Sequence, residues 1–405
     1  MYFTAMQKVI FTPNMAIMAN IDNLEPTIKV TSSFDYTTQS IESLYVCVFK
    51  NKPLDNMFLS FDWISNWLQC AYAKPELITF LSSYDNQPIG FAFIGCVDSS
   101  LGKVFLLNQT GNQQDDQIWI EYNDVICASQ HKACRNALLQ FLANKPKTFK
   151  FIGINNIEAW SHKQWRKWSL QSTNGYIAAS KEALSESSTA SLVLHFSKNT
   201  KSQISRSQRF IEQHYGEVKM NWLSSKQIEA ALTDMGNLHI KQWGNHDYGS
   251  GFTNPRFVEF HRRLMQQGML PKVSHEIEKE KDSRATSKDW VHLAKFTAGD
   301  FTLGYLYLFT RNKQVYFYLS AINYTSQDNK YKPGLLMHKL AMLHFEGLGY
   351  TSYDFLAGDA RYKTSLSNQE YLLHSLQLYL NKWYYSPIKL CVNIKRWLIR
   401  STKKQ

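Results

Sequence analysis

The chain lacks a CxxC pair: its six cysteines stand at 47, 70, 96, 127, 134 and 391. That spacing excludes the close thiol pairs of a zinc site or a thioredoxin-like redox motif, and no metal is expected. The thiols read as reduced and mostly buried, as in a cytoplasmic protein. A basic leader is also missing from the opening MYFTAMQKVIFTPNMAIMAN, where Pro13, Asn14 and Asn20 interrupt the apolar residues, which argues against a secretory signal. No run is long and apolar enough to span a bilayer. A soluble, cytoplasmic protein is therefore expected, and a membrane-bound acceptor would be met only peripherally. Helix-turn-helix and zinc-finger signatures are absent, so sequence-specific nucleic-acid binding is not expected either.

Acidic residues are in deficit. The 33 Asp and Glu against 45 Lys and Arg leave a net charge of +12, which favours anionic partners such as nucleic acid, phospholipid or a phosphate-bearing cofactor without choosing among them. At 405 residues, with 44% apolar and 14% aromatic residues, the chain can fill two cores of ordinary size.

Apolar periodicity gives the two halves one plan. Three apolar runs between Leu77 and Gln109, broken at Asp-Asn-Gln-Pro and Asp-Ser-Ser-Leu-Gly, predict a three-strand meander. IWIEYNDVI follows, then a helix over about His131–Asn144 and a strand FKFIGI at 149–154. The second half repeats the order with strands 289–296, 301–309 and 315–323, a helix at about 335–346 and a strand SYDFLA at 352–357. An old duplication accounts for such a repeat of elements without repeat of residues. Between the halves, the serine-rich KEALSESSTAS reads as an exposed loop, and a basic helix from Lys201 opens the second half, with Lys201, Arg206 and Arg209 either a solvated face or an anion contact. The chain ends in SPIKLCVNIKRWLIRSTKKQ, a basic amphipathic tail that suits either an anionic membrane surface or the protein's own core.

The stretch KPGLLMHKLAMLHFEGLGYTSYDFLAGDARYK (332–363) concentrates the chemistry. Pro333 and Gly334 stand directly before a helix whose Leu336, Leu340 and Leu343 define the expected buried face. A helix start of this kind presents free N–H groups and the positive end of the helix dipole, which suit a phosphate, and Lys330 and Lys332 add charge. Read alone, Pro-Gly is equally ordinary loop punctuation.

The stretch from Arg206 to about Lys363 resembles the CelD-like branch of the GNAT acyltransferases, whose pattern appears here as Pro333-Gly334-Leu335-Leu336, Gly349, Asp354-Phe355, Gly358-Asp359 and Tyr362-Lys363. LHIKQWG at 238–244 and FLSFDWISNWLQ at 58–69 resemble two further segments of that family, which is similar to the FemAB-type proteins. The resemblance covers roughly 45–385 and is strongest over 300–365. It implies an α/β fold of tandem GNAT-like domains, each a mixed, mostly antiparallel central sheet flanked by helices. The corresponding division is an N-terminal extension (1–44), a degenerate GNAT-like domain (45–200), an acyltransferase domain with an acyl-CoA groove (201–385) and the basic tail (386–405). No Pro-Gly precedes the helix at 131–144, so the first domain is expected to be structural or to bind the acceptor.

The resemblance further implies acetyl-CoA or another acyl-CoA as donor and a small amine, of a sugar or metabolite, as acceptor. Lys332, Pro333, Gly334, Leu335 and Leu336 would hold the pyrophosphate, and a backbone N–H among Ala321, Ile322 and Asn323 would meet the oxyanion. A neutral amine needs a base, for which His239 and Asp359 are candidates, with Asp354 a second site carboxylate. Tyr362 would protonate the departing thiolate, and Lys363 would pair with Asp354 or hold a phosphate. A transferase using aminoacyl-tRNA, favoured by the positive charge, and a non-catalytic binding protein on the same fold are the competing readings.

Overall fold

The computed structural model describes residues 28–180, 192–193, 195–244, 249–269, 289–383, 385 and 387. The serine-rich loop and, apart from 387, the basic tail lie outside the described residues, as does most of the expected N-terminal extension. The first half runs β1 (Ile28–Ser33), α1 (Thr38–Val48), α2 (Phe61–Cys70), β2 (Glu76–Ser82), β3 (Pro88–Ser99), β4 (Gly102–Leu107), α3 (Gln113–Asp116), β5 (Ile126–Cys127), α4 (His131–Ala143), β6 (Thr148–Asn156) and β7 (Trp165–Ala179). The second runs α5 (Lys198–Tyr215), β8 (Val218–Trp222), α6 (Ile228–Trp243), α7 (Pro255–Gly268), β9 (Val291–Ala298), β10 (Phe301–Arg311), β11 (Gln314–Ile322), α8 (Pro333–Gly347), β12 (Ser352–Ala357), α9 (Arg361–Leu366) and β13 (Gln369–Leu380).

These strands form one continuous sheet in the order β1-β2-β3-β4-β6-β13-β7-β12-β11-β10-β9-β8, with β5 paired to β3 off this path. Pairing is antiparallel except for β4 with β6 and β11 with β12. The central order records a reciprocal exchange. β13, the last of the described strands, pairs with β6 of the first half, while β7 of the first half pairs with β12 of the second. The two exchanged strands then pair with each other over the whole length of β13, from Gln369–Ile177 to Leu380–Trp165. The mixed, mostly antiparallel α/β architecture is thus as expected, but the halves are joined through their last strands.

Local chemistry explains how the helices start. Ser60 caps α2 by accepting from Trp63 N–H, and Asn254 caps α7 ahead of Pro255 at its first turn. Along α7, Phe257, Phe260, His261, Leu264 and Met265 recur at helical spacing and are buried. They meet Trp63 of α2, whose ring lies edge-on to Phe260 at 4.9 Å. This core, on one face of the sheet, draws residues from both halves. On the opposite face α4 covers the first half, and α5 with α8 covers the second, over separate cores.

Two expectations are corrected. Leu343 is 41% exposed, because the stripe of α8 that reaches the core runs through Leu336, Met337, Ala341, Met342 and Phe345. Of the five described cysteines, all free, only Cys127 and Cys134 are buried; Cys47 and Cys96 are exposed. β7, over Trp165–Ala179, is an element for which the sequence reading held no expectation. Among the described residues no helix is long and apolar enough to cross a membrane.

Candidate active site

The start of α8 has the form its sequence implies. Lys332 provides the N-cap without a side-chain cap, and Pro333 occupies the first turn, so the helix opens with uncapped N–H groups. Two residues of α5 hold Lys332 in place: its backbone N–H donates to Ser207 Oγ at 2.9 Å and its Nζ to Gln203 Oε1 at 2.7 Å. Gly334 approaches β11 closely, since a Cβ there would lie 2.9 Å from Ile322 Cδ1.

A cavity of about 1020 Å³ opens here, bounded by Arg206, Ile322, Lys330, Lys332, Gly334, Leu335, Arg361 and Tyr362 among others. Small-molecule pockets are roughly 300–1,000 Å³, so this one admits a large ligand. Four cationic side chains at its wall favour an anion. Pro333 and Leu336 are buried, so the side chain of Leu336 serves the core while its backbone stays in the first turn.

Beside this cavity the parallel strands part. β11 and β12 pair only from Gln314–Ser352 to Tyr316–Asp354, and β12 then turns away at Leu356, whose φ of 57° is left-handed. Alternation along β11 decides which amide faces the gap. Asn323 N–H is taken by Leu303 O at 2.9 Å, and Ala321, two residues earlier, faces the same neighbour. Ile322 N–H alone of the three expected donors turns the other way, and Gln242 Oε1 of α6 accepts it at 3.3 Å.

Asp354 sits at the vertex of the gap, fully buried. Its carboxylate accepts from Tyr122 Oη, from Tyr371 Oη at 3.0 Å, from Gln314 Nε2 at 3.1 Å and from Leu356 N–H at 2.8 Å. Burial raises its pKa to about 6 while these bonds pull the other way. Four donors leave it little capacity to act as a base, so it ties β12 to its surroundings. Lys363 Nζ donates to Leu356 O at 3.3 Å and Ala357 O at 2.6 Å, capping the bent end of β12 rather than bonding Asp354, and burial lowers it to about 8.

The other expected residues separate. Tyr362 lines the large cavity and stacks on His338 at 5.3 Å, and burial raises its pKa. Asp359 is exposed at the approach to α9. His239 is buried in α6, bonded through Nδ1 to Ser250 Oγ at 2.8 Å, and burial lowers it to about 4. It lines neither the large cavity nor the gap, and reaches the gap's lining only through the ring of Trp119 at 6.4 Å.

The sequence reading missed what the first half brings to the gap. Trp119, Glu121 and Tyr122 lie between α3 and β5, and Trp119 and Glu121 line the gap together with Phe317, Tyr318 and Lys363. Burial raises Glu121 to about 8. Its one signal in the sequence was a carboxylate within the apolar run IWIEYNDVI.

Residues 198–364 match the family described as an acetyltransferase (GNAT) domain. This segment of the second half is similar to a GNAT-type domain. The match is to a family of acyltransferases and spans the uncapped helix, the parted strands and both cavities' second-half walls. No curated protein matches the chain by sequence. Among solved structures, the chain is similar to FemX at 11% identity and TM-score 0.50, over 89% of this chain and 100% of that one. It also aligns with a tandem GNAT protein from the clavulanic acid biosynthesis pathway (9%, TM-score 0.43, 87% and 98% covered) and with L-PGS from Bacillus licheniformis (8%, 0.44, 86% and 95%). The FemX likeness is one of fold.

Proposed function

We propose that the protein is an N-acyltransferase that moves an acyl group, acetyl first among candidates, from acyl-CoA to the amine of a sugar or small metabolite. One observation carries this reading: the uncapped N-terminus of α8 faces a large cationic cavity, and the parted strands β11 and β12 stand beside it. The amides of the first turn, with Lys332 beside them, receive the pyrophosphate. The thioester then lies toward the gap, where Ile322 N–H, released by Gln242, meets the oxyanion. Tyr362 stands at the cavity wall to return a proton to the leaving thiolate, and Asp354 and Lys363 hold the bent strand in place. Asp359 and His239 keep outer roles, at the rim and behind Trp119.

Calorimetric titration with acetyl-CoA, a long-chain acyl-CoA and free CoA tests the donor, and mass spectrometry of candidate amines detects the product. Binding of the acyl forms with growth of an N-acyl product is the expected result. Salt-sensitive binding of aminoacyl-tRNA with no response to any CoA would replace the donor, and no binding of either would leave a scaffold without this activity.

A further inference from the structure

The gap between β11 and β12 holds a second cavity of about 150 Å³. Its walls come from both faces of the sheet: Phe317 and Phe355 belong to the core under α8, whereas Tyr318 and Leu356 belong to the core shared by the two halves. The cavity therefore lies within the sheet, between its two faces, with α8 of the large cavity's wall on one side. Glu121 closes it from the shared side.

Its neighbours hold Glu121 in place. Trp119 packs edge-on to Phe257 at 5.0 Å, Tyr122 donates to Asp354 and stacks on Tyr371 at 5.4 Å, and Tyr318 Oη donates to Ile118 O. Trp119 and Tyr122 both take left-handed backbone conformations, φ 47° and 50°, a cost that persists only where surrounding contacts enforce it. Yet Glu121 Oε2 is buried with no hydrogen-bond partner among the described residues. Lys363, the cation that faces it, donates to two carbonyls of β12 instead. A carboxyl oxygen kept buried without a hydrogen-bond partner is costly unless a ligand completes it.

We propose that this cavity is the acceptor subsite and that Glu121 receives a primary ammonium there and removes its proton. The proposal rests on the N-acyltransferase reading above. By liquid volume the cavity holds about five waters, so it takes an amino group on a short carbon stem. Its aromatic walls, Trp119, Phe317, Tyr318 and Phe355, favour an apolar stem and attract its cationic end. A larger acceptor inserts only its aminoalkyl arm. In the step, the ammonium gives one proton to the Glu121 carboxylate, and the neutral amine attacks the thioester carbonyl, forming the C–N bond. The C–S bond then breaks, the second amine proton passes to the departing thiolate, and Glu121 returns its proton to solvent. One amide, one free thiol and one proton result. Burial raises the pH at which Glu121 opens to proton transfer, and the two charged groups that face it adjust that pH in opposite directions, Lys363 downward and Asp354 upward.

The test uses the full chain and two probes, propylammonium and benzylammonium, with propanol as the neutral counterpart. Saturation-transfer NMR should show both ammonium ions binding the wild type, loss of that signal in Glu121→Gln, and no comparable signal from propanol. With an acyl-CoA that binds, Glu121→Gln should lower kcat for amine acylation by roughly 100-fold or more, Glu121→Asp should recover part of it, and the variant's acyl-CoA affinity should stay within about threefold of wild type. Wild-type protein that binds acyl-CoA but neither ammonium ion, or a Glu121→Gln variant with undiminished kcat, overturns this proposal alone. Failure of the wild type to bind any acyl-CoA overturns the donor reading and this proposal with it.

Discussion

The hydroxyl of Tyr122 donates to the carboxylate of Asp354 across 232 residues of sequence, linking the loop that carries Glu121 to the vertex of the parted strands. Asp354 accepts three further bonds there, so its removal strands several buried donors at once. Asp354→Ala is expected to cost on the order of 3 kcal/mol and Tyr122→Phe about 1–3 kcal/mol, because a buried hydrogen bond to a carboxylate is lost in each case. Urea unfolding followed by tryptophan fluorescence reads both values. Equal stability of Tyr122→Phe and wild type would show that the link is idle.

At Gly334 the question is space. A Cβ there is crowded by the flexible end of Ile322 and lies at ordinary contact from Tyr324 Oη, so Gly334→Ala should be accommodated, whereas Gly334→Leu fills the mouth of the cavity. Calorimetry should show acyl-CoA affinity weakened roughly tenfold or more in the leucine variant, a loss of about 1.4 kcal/mol or more. Its thermal midpoint should stay near that of wild type.

Glu121 should trade stability for function. Its pKa is raised by burial from 4.5 to about 8, so the folded protein binds the extra proton between those values, and the group's contribution is lost as pH rises through the upper one. A glutamine mimics the protonated acid. Glu121→Gln and wild type should therefore have similar urea midpoints at pH 5, with the variant pulling ahead by pH 9; a constant difference across that range would contradict the shift.

Gly175 of β7 stands opposite Tyr371 of β13, and a Cβ on it would run into the tyrosine ring whose hydroxyl serves Asp354. Gly175→Ala is expected to destabilise the fold by about 1–3 kcal/mol, the usual cost of overpacking. Combining it with Tyr371→Ala should recover part of the loss, which a double-mutant cycle in urea would measure.

Much of this arrangement was legible in short-range pattern. The meanders, the α4 and α8 helices and the strand SYDFLA follow from alternation and helical spacing, and the Pro-Gly start of α8 follows from the backbone chemistry of those two residues. β7 and β13 escaped because their patterns are mixed: β7 exposes Arg166, Lys167, Ser169, Leu170, Gln171 and Ser172 in its first half. Their partners also lie about 200 residues away, as in the pairing of Tyr371 with Gly175, and no local spacing records such a pairing. The site divides the same way. Gly334, Lys332 and Tyr362 sit in one stretch and were found together, whereas Glu121 is brought to them only by the packing of one half on the other.

The exchange of last strands also governs the order in which the chain can mature on the ribosome. β6 emerges early and can pair with β4, but it lacks its second native neighbour until β13, ending at Leu380, has been made. At about 5–20 residues per second, the roughly 220 intervening residues take on the order of 10–45 s to synthesise. Throughout that interval β6 presents an open edge, and the strand at hand to cover it is β7, which in the finished fold pairs with β13 and β12 instead. Such a premature pairing would have to be undone before either half could close, so nascent chains stalled before residue 369 should depend on chaperones in a way that released chains do not.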